Sequence, residues 1–172
     1  MKKILLILLA FILSATFCCA QTGNNQVGVG VETNLLLSNG YSDIYHPGIG
    51  GNLKGLYGIG DASQLTLTAG YNSFGGKSSS QFGDQTLSLI PVQAGYRYNL
   101  KSGLYGEGQA GVGILTTKVT GFSFSQTNFA AAIGVGYTIN GFDASIRYYT
   151  EFDVISTFAV RIAYNFSLGG KK

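Results

Sequence analysis

The sequence predicts an all-β fold: an eight-stranded antiparallel up-and-down transmembrane β-barrel preceded by an N-terminal signal peptide. Three observations predict it. Apolar residues alternate with small or polar ones along eight segments, the period of a strand whose two faces meet different surroundings. Charged residues make up only 11% of the chain, against roughly 25% in ordinary soluble domains, so something other than water must cover much of the surface. Beyond the leader, no stretch approaches the ~20 consecutive apolar residues of a spanning helix. The closed barrel is the other structure that satisfies every backbone group inside hydrocarbon. The 26 glycines, 11 tyrosines and 11 phenylalanines also suit strands and tight turns better than helices.

Met1, Lys2 and Lys3 form a basic head, Ile4 to Leu13 an unbroken apolar stretch, and Ser14-Ala15-Thr16 a region of smaller residues. These are the three parts of a secretory signal peptide. Cleavage after Ala20 follows the tail Cys18-Cys19-Ala20 and leaves Gln21 as the new terminus. The small-residue tail argues against an uncleaved anchor, and Phe17, placed where a small residue should precede Cys18, argues against a lipoprotein. The expected organisation is a cleaved signal peptide over 1–20 and one barrel domain over 21–172. Both cysteines leave with the leader, so no disulfide, thiolate metal site or cysteine nucleophile is expected. Losing Lys2 and Lys3 lowers the formal net charge from +3 to +1, which gives no electrostatic footprint for nucleic acid.

The first strand is expected from Val27 to Leu37, with Val27, Val29, Val31, Leu35 and Leu37 on one face and Gly28, Gly30, Glu32 and Asn34 on the other. The second, Ile49 to Ile59, opposes Ile49, Leu53, Tyr57 and Ile59 to Asn52 and Lys54. The third sets Leu65, Leu67, Ala69 and Tyr71 against Gln64, Thr66, Thr68 and Asn72. In the fourth, Ile90, Val92, Ala94, Tyr96 and Tyr98 face away from Gln93 and Arg97. Leu104, Ala110, Val112 and Ile114 oppose Glu107 and Gln109 in the fifth. The sixth opposes Phe129, Ala131, Ile133, Val135 and Tyr137 to Asn128, Gly134 and Gly136. The seventh opposes Phe142, Ala144, Ile146 and Tyr148 to Asp143, Ser145 and Arg147. The last opposes Phe158, Val160, Ile162, Tyr164 and Phe166 to Arg161 and Asn165.

The connections alternate in length: long at 38–48, 75–85 and 117–127, short at 60–63, 99–103 and 140–141, middling at 152–155. Outer-membrane barrels place short turns in the periplasm and longer loops outside, so both termini are expected in the periplasm. Asn140-Gly141 reads as a two-residue hairpin turn, because Asn and Gly accept the positive φ of type I′. Pro91 conflicts locally with a closed barrel, which has no edge strand to shelter it, and predicts a bulge or a late strand start.

Alternation alone does not say which face points outward, and a soluble lipocalin-like ligand-binding barrel would put the apolar face inside. The charges favour the membrane reading. The polar faces carry Gly, Thr and Asn with few charges, and those few can neutralise one another. With the apolar parity facing lipid, Glu32, Lys54, Arg147 and Arg161 fall near mid-height inside, and Arg97 and Glu107 oppose each other nearer the periplasmic end. Closure of strand 8 on strand 1 is expected to set Arg161 beside Glu32, with Lys54 on its other side. Buried charges persist when paired and hydrogen-bonded. Tyr57, Tyr71, Tyr98, Tyr148 and Tyr164 suit interfacial girdles.

The stretch Ile90-Pro91-Val92-Gln93-Ala94-Gly95-Tyr96-Arg97-Tyr98, followed by Leu104-Tyr105-Gly106-Glu107-Gly108-Gln109-Ala110-Gly111-Val112-Gly113, resembles the central hairpin of the small eight-stranded outer-membrane barrels. That group comprises OmpX-like proteins, the OmpA membrane domain and the outer membrane protein beta-barrel domain proteins, PorT-like ones included. Ala163-Tyr164-Asn165-Phe166 is similar to the aromatic-ended signal read by the barrel-insertion machinery, although Ser167 to Lys172 continue past it. The resemblance spans the mature chain and implies residence in the outer membrane of a Gram-negative bacterium. Outer-membrane lipid, lipopolysaccharide and the insertion machinery are the implied partners. The implied roles run from structural support and adhesion to secretion accessory functions.

No cofactor is expected. Some eight-stranded barrels modify lipid A with His and Ser near the outer rim, but the only histidine, His46, sits with Ser42 and Asp43 in a loop, without the rigid support that a catalytic set needs. Eight strands enclose a lumen that side chains fill, which disfavours large solutes and leaves a narrow solute or ion channel as an alternative. The expected role is envelope structure, or interaction with an unidentified surface or secretion partner, through the three long loops. Their aromatic residues Tyr41, Tyr45, Phe74, Phe82, Phe122 and Phe124 motivate it.

Overall fold

The two-residue alternation builds eight strands in a computed structural model that describes residues 25–38, 40–77, 85–119, 122–152 and 154–168. They are β1 (Gln26–Leu36), β2 (Gly48–Gly58), β3 (Ser63–Gly75), β4 (Gln85–Asn99), β5 (Leu104–Val119), β6 (Phe122–Ile139), β7 (Phe142–Glu151) and β8 (Ile155–Ser167). Each pairs antiparallel with its sequence neighbours, and β1 pairs with β8 from Gln26↔Ser167 to Leu36↔Thr157. The barrel is closed, so no strand is an edge along its whole length. The expected leader, residues 1–20, lies outside the described residues, as do Ser78-Ser79-Ser80 and Phe82.

The barrel is inside out relative to a soluble protein. Val31, Ile49, Leu67, Ile133 and Ile162 are each at least 60% exposed, whereas Asp143 and Arg161 are at most 2% exposed. The apolar face of every strand therefore points away from the lumen, which rules against the lipocalin-like arrangement. Water does not tolerate a continuous apolar belt of this extent, and hydrocarbon does.

Three short connections, 59–62, 100–103 and 140–141, lie at one end with Asn25 and Leu168, the first and last described residues; this is called the turn end. At Asn140-Gly141 the φ angles are 50° and 87°, the type I′ pattern whose twist matches a hairpin. A Cβ on Gly141 would stand 3.0 Å from the Tyr164 ring and adopt the left-handed region. Gly141→Val is therefore expected to lower the unfolding free energy in detergent micelles by about 1–2 kcal/mol, measured by urea titration.

At the other end, the loop end, the strands run further than the alternation predicts. The segment expected as a loop at 117–127 is mostly strand: β5 and β6 stay paired to Val119↔Phe122. Phe122 and Phe124 therefore belong to β6 and not to a loop. The reason is local. Leu115-Thr116-Thr117 and Phe122-Ser123-Phe124 are β-favouring runs, and Thr116 and Ser125 join across the strands with Oγ atoms 2.8 Å apart. The first connection holds one helical turn, Tyr41–Ile44, and returns by a bridge between Tyr45 and Gly76.

Pro91 causes neither a bulge nor a late start. β4 begins six residues earlier, at Gln85, and keeps Pro91 paired with Gly113 of β5. On the β3 side the ladder passes from Ala69↔Val92 to Asn72↔Leu89 without a change of register. Gly70 and Tyr71 drop out of the described pairing there, where Pro91 has no N–H to give. A Cβ on Gly70 would press on the neighbouring β2, 3.2 Å from Gly51 O and 3.3 Å from Asn52 Cβ, and make only ordinary contact with the Pro91 ring.

Candidate functional site

Inward parity carries the charged residues of six strands into one cluster. On β4 and β5, Arg97 and Glu107 are directly paired, and Arg97 Nη2 lies 2.9 Å from Glu107 Oε2. Lys54 reaches across the lumen from β2 to the same carboxylate, its Nζ 2.8 Å from Oε1, and Thr66 and Gln109 add donors to that oxygen. Arg97 also donates to Asp143 on β7 at 3.0 Å and lies over the Tyr105 ring, 3.7 Å from its centroid, a favourable cation–π contact.

Asp143 is the hub of the second half. It accepts from Arg161 Nη1 at 2.9 Å, from Tyr105 Oη at 2.7 Å and from Asn165 Nδ2 at 3.2 Å. Glu32 is held by Arg147, whose Nη2 is 2.8 Å away, and by the amides of Asn52 and Asn72 at 3.0 and 2.9 Å. Arg161 Nε in turn donates to Asn52 Oδ1 at 2.7 Å.

The structure thus brings Glu32, Lys54, Arg97, Glu107, Arg147 and Arg161 into one hydrogen-bonded layer, in which Arg97 and Glu107 pair as expected and Glu32, Arg161 and Lys54 take other partners. Glu32 and Arg161 do face each other in register, yet the ion pairs are Glu32–Arg147 and Arg161–Asp143. An arginine is long relative to this lumen, so its charge settles far from its own Cα. Gly30 makes the route possible, because a Cβ there would lie 3.2 Å from Arg161 Nε. Lys54 likewise pairs with Glu107 and not with Glu32. Asp143, on the polar face of its strand, joins the cluster beyond the six expected residues. Its parity, shared with Arg147, was the signal.

Towards the loop end the lumen turns apolar. Phe74, Leu87, Leu89, Leu115, Ala130, Ala132, Tyr149 and Ile155 pack together under Tyr45 of the first connection, with Leu36, Tyr41 and Val154 at their margin. Tyr45 donates to Gln85 at 3.3 Å, and burial, with Tyr41 beside it, pushes its phenol above the ordinary value, so it stays a neutral donor. Glu151 is buried at the edge of this layer, accepting from Tyr149 Oη and Asn128 Nδ2, each at 3.0 Å.

Above the layer stands the β5–β6 hairpin. The β6–β7 ladder stops at Ala130↔Glu151, followed by a bond from Phe152 N to Phe129 O. Residues 122–128 are thus paired with β5 alone among the described residues. Backbone groups alternate sides along a strand, so Ser123, Ser125 and Thr127, in phase with Phe129, aim theirs at the open side. Phe122 and Phe124 have the opposite parity, on the face that looks over the barrel mouth, and are 84% and 67% exposed.

A comparison with protein families matches residues 5–168 to the family described as Outer membrane protein beta-barrel domain. The chain belongs to this family. The outer-membrane barrels of this family explain the exposed apolar belt as a lipid-facing surface. Its margins are marked by aromatic residues, Tyr57, Tyr96, Tyr98, Tyr137, Phe142, Tyr164 and Phe166 towards the turn end and Tyr71, Phe129, Tyr148 and Phe158 towards the loop end. Beside the second set, outward hydroxyls satisfy one another, Tyr71 with Ser88 at 3.1 Å and Thr150 with Ser156 at 3.0 Å.

Solved structures share the fold. The crystal structure of Ail, the attachment invasion locus protein of Yersinia pestis, superposes with a TM-score of 0.62 at 19% identity, over 85% of this chain and 100% of that one. Neisserial surface protein A superposes with a TM-score of 0.60 at 17% identity, over 84% and 97%. Ail has also been solved with the heparin analogue sucrose octasulfate, at a TM-score of 0.65 and the same 19% identity, again over 85% and 100%. A search of curated proteins found no match.

Proposed function

We propose that this outer-membrane barrel is non-enzymatic and acts at the cell surface, its turn end and both termini in the periplasm and its loop end outside. The observation that carries the reading is the β5–β6 hairpin, whose margin at 122–128 has no second strand beside it among the described residues. An exposed strand margin is a template for a further strand. Ser123, Ser125 and Thr127 would supply the backbone ladder, and Phe122 and Phe124 an apolar flank for alternate side chains of the added strand. Tyr41 and Tyr45 frame the mouth from the first connection. Phe82 lies outside the described residues and is kept with them as a candidate contact from the second connection.

A partner read by backbone pairing and aromatic contact fits this end better than a polysulfated one. Ail has been solved with a heparin analogue, but among the described residues the loop end here carries two lysines, Lys77 and Lys118, against Asp43 and Glu151. Catalysis lacks a scaffold: Ser42 and Asp43 lie on the helical turn, His46 just beyond it bonds through its backbone N–H to Gly75, and none of the described side-chain hydrogen bonds joins the three. The charged and apolar layers fill the lumen, which argues against the narrow solute or ion channel. The barrel-insertion machinery is the proposed partner in biogenesis, through the aromatic end of β8, and lipid and lipopolysaccharide are the proposed surroundings.

Ser125→Pro combined with Thr127→Pro tests the reading. Both prolines remove N–H groups that face the open side and spare those bonded to β5. Adhesion of cells to protein-coated surfaces is expected to fall to the level of a strain lacking the protein, while the barrel still shifts in mobility on boiling. Unchanged adhesion with an intact barrel would overturn it.

A further inference from the structure

The charged layer holds one more basic side chain than acidic. Lys54, Arg97, Arg147 and Arg161 share it with three carboxylates, Glu32, Glu107 and Asp143. Glu151, the other buried acid, stands apart with neutral donors, Tyr149 and Asn128. The layer also leaves donors unused. Among the described residues, Arg147 Nε and Arg161 Nη2 are buried without a hydrogen-bond partner, on side chains that are at least nine-tenths buried.

Both arginines line, with Lys54, a cavity of about 20 Å³ whose wall includes Tyr105, Glu107 and Gln109. A space of that size holds one water-sized particle. The single carboxylate on the wall does not compete for the free donors. Glu107 Oε1 accepts from Lys54, Thr66 and Gln109, and Oε2 from Lys54 and Arg97. A buried cation without a counter-charge is costly. Water in the cavity would solvate the excess charge, whereas an anion would cancel it.

We propose that this cavity binds one monatomic monovalent anion, a halide of the chloride type, held by the unused donors of the arginines and by the Lys54 ammonium. Its small volume favours a monatomic ion over sulfate, phosphate and carboxylates. The anion completes the charge balance of the lumen and locks β2, β7 and β8 to one another through a shared centre. The inference is independent of any partner at the loop end.

Two measurements on the full-length protein in detergent micelles decide it. Thermal unfolding is followed in chloride, bromide, sulfate and gluconate at matched ionic strength. The halides are expected to raise the midpoint by a few degrees over the other salts, with saturation as their concentration rises. Crystals grown in bromide are expected to show an anomalous peak in the cavity between Arg147, Arg161 and Lys54. Arg147→Gln is expected to abolish the halide dependence. The wild-type bromide peak decides even where that variant does not fold. Equal midpoints in all four salts, or a halide effect with no bromide in the cavity, would overturn the proposal.

Discussion

Asp143→Ala is expected to lower the unfolding free energy of the barrel by about 3–5 kcal/mol, enough to remove much of the heat-resistant folded band from unboiled samples. The residue is fully buried and meets Arg97, Arg161, Tyr105 and Asn165. Deleting its carboxylate leaves two guanidiniums in a low-dielectric lumen without their shared counter-charge. Arg97 keeps Glu107, but Arg161 retains its desolvation penalty after the attraction that offset it is gone. The space left by the small side chain contributes much less. A compensated variant separates the two effects: Asp143→Leu with Arg97→Met and Arg161→Met removes charges of both signs. Replacing buried ion pairs by apolar groups of similar volume is often neutral or stabilising. Urea unfolding should therefore place the triple variant well above Asp143→Ala. If Asp143→Ala alone unfolds like the wild type, the charged layer is not what holds the strands together.

The strands were legible because a membrane barrel enforces the period of two more strictly than a soluble sheet does. Lipid on one side and packed side chains on the other penalise every residue of the wrong kind, so all eight strands are found within a few residues of their expected places at the turn end. The loop end was less legible for a physical reason. Beyond the lipid the outward face is free to be polar, as at Ser88, Thr116, Ser125 and Ser156, and the lumen becomes apolar at Phe74, Leu87, Leu89 and Leu115. Each face there loses its distinguishing chemistry, and Phe122-Ser123-Phe124 looks like a decorated loop. In the lumen, parity indicates which charges are enclosed. It does not indicate which pair with which, because a long cation crosses to another wall. The register opposite Glu32 names Arg161, while the ion pair is made by Arg147.

Ile162→Arg is expected to destabilise the protein in bilayers by about 2–4 kcal/mol. Ile162 lies on β8 between the aromatic margins at Tyr164 and Phe158, facing away from the lumen and 60% exposed to whatever surrounds the barrel. Its cross-strand neighbours are Val31 and Ala144, which offer no acceptor for a guanidinium. An arginine there must desolvate or drag water and headgroups inward, at a cost that falls towards the interfaces. The same change at Ser156, beside the loop-end margin, should cost at most about 1 kcal/mol. In water the order would be reversed or flat, since a surface isoleucine replaced by arginine is neutral or better. The comparison of the two variants by urea unfolding in lipid vesicles therefore reports which solvent the outer face was built for. Equal tolerance at both positions would contradict a hydrocarbon environment around mid-strand, however apolar that face is.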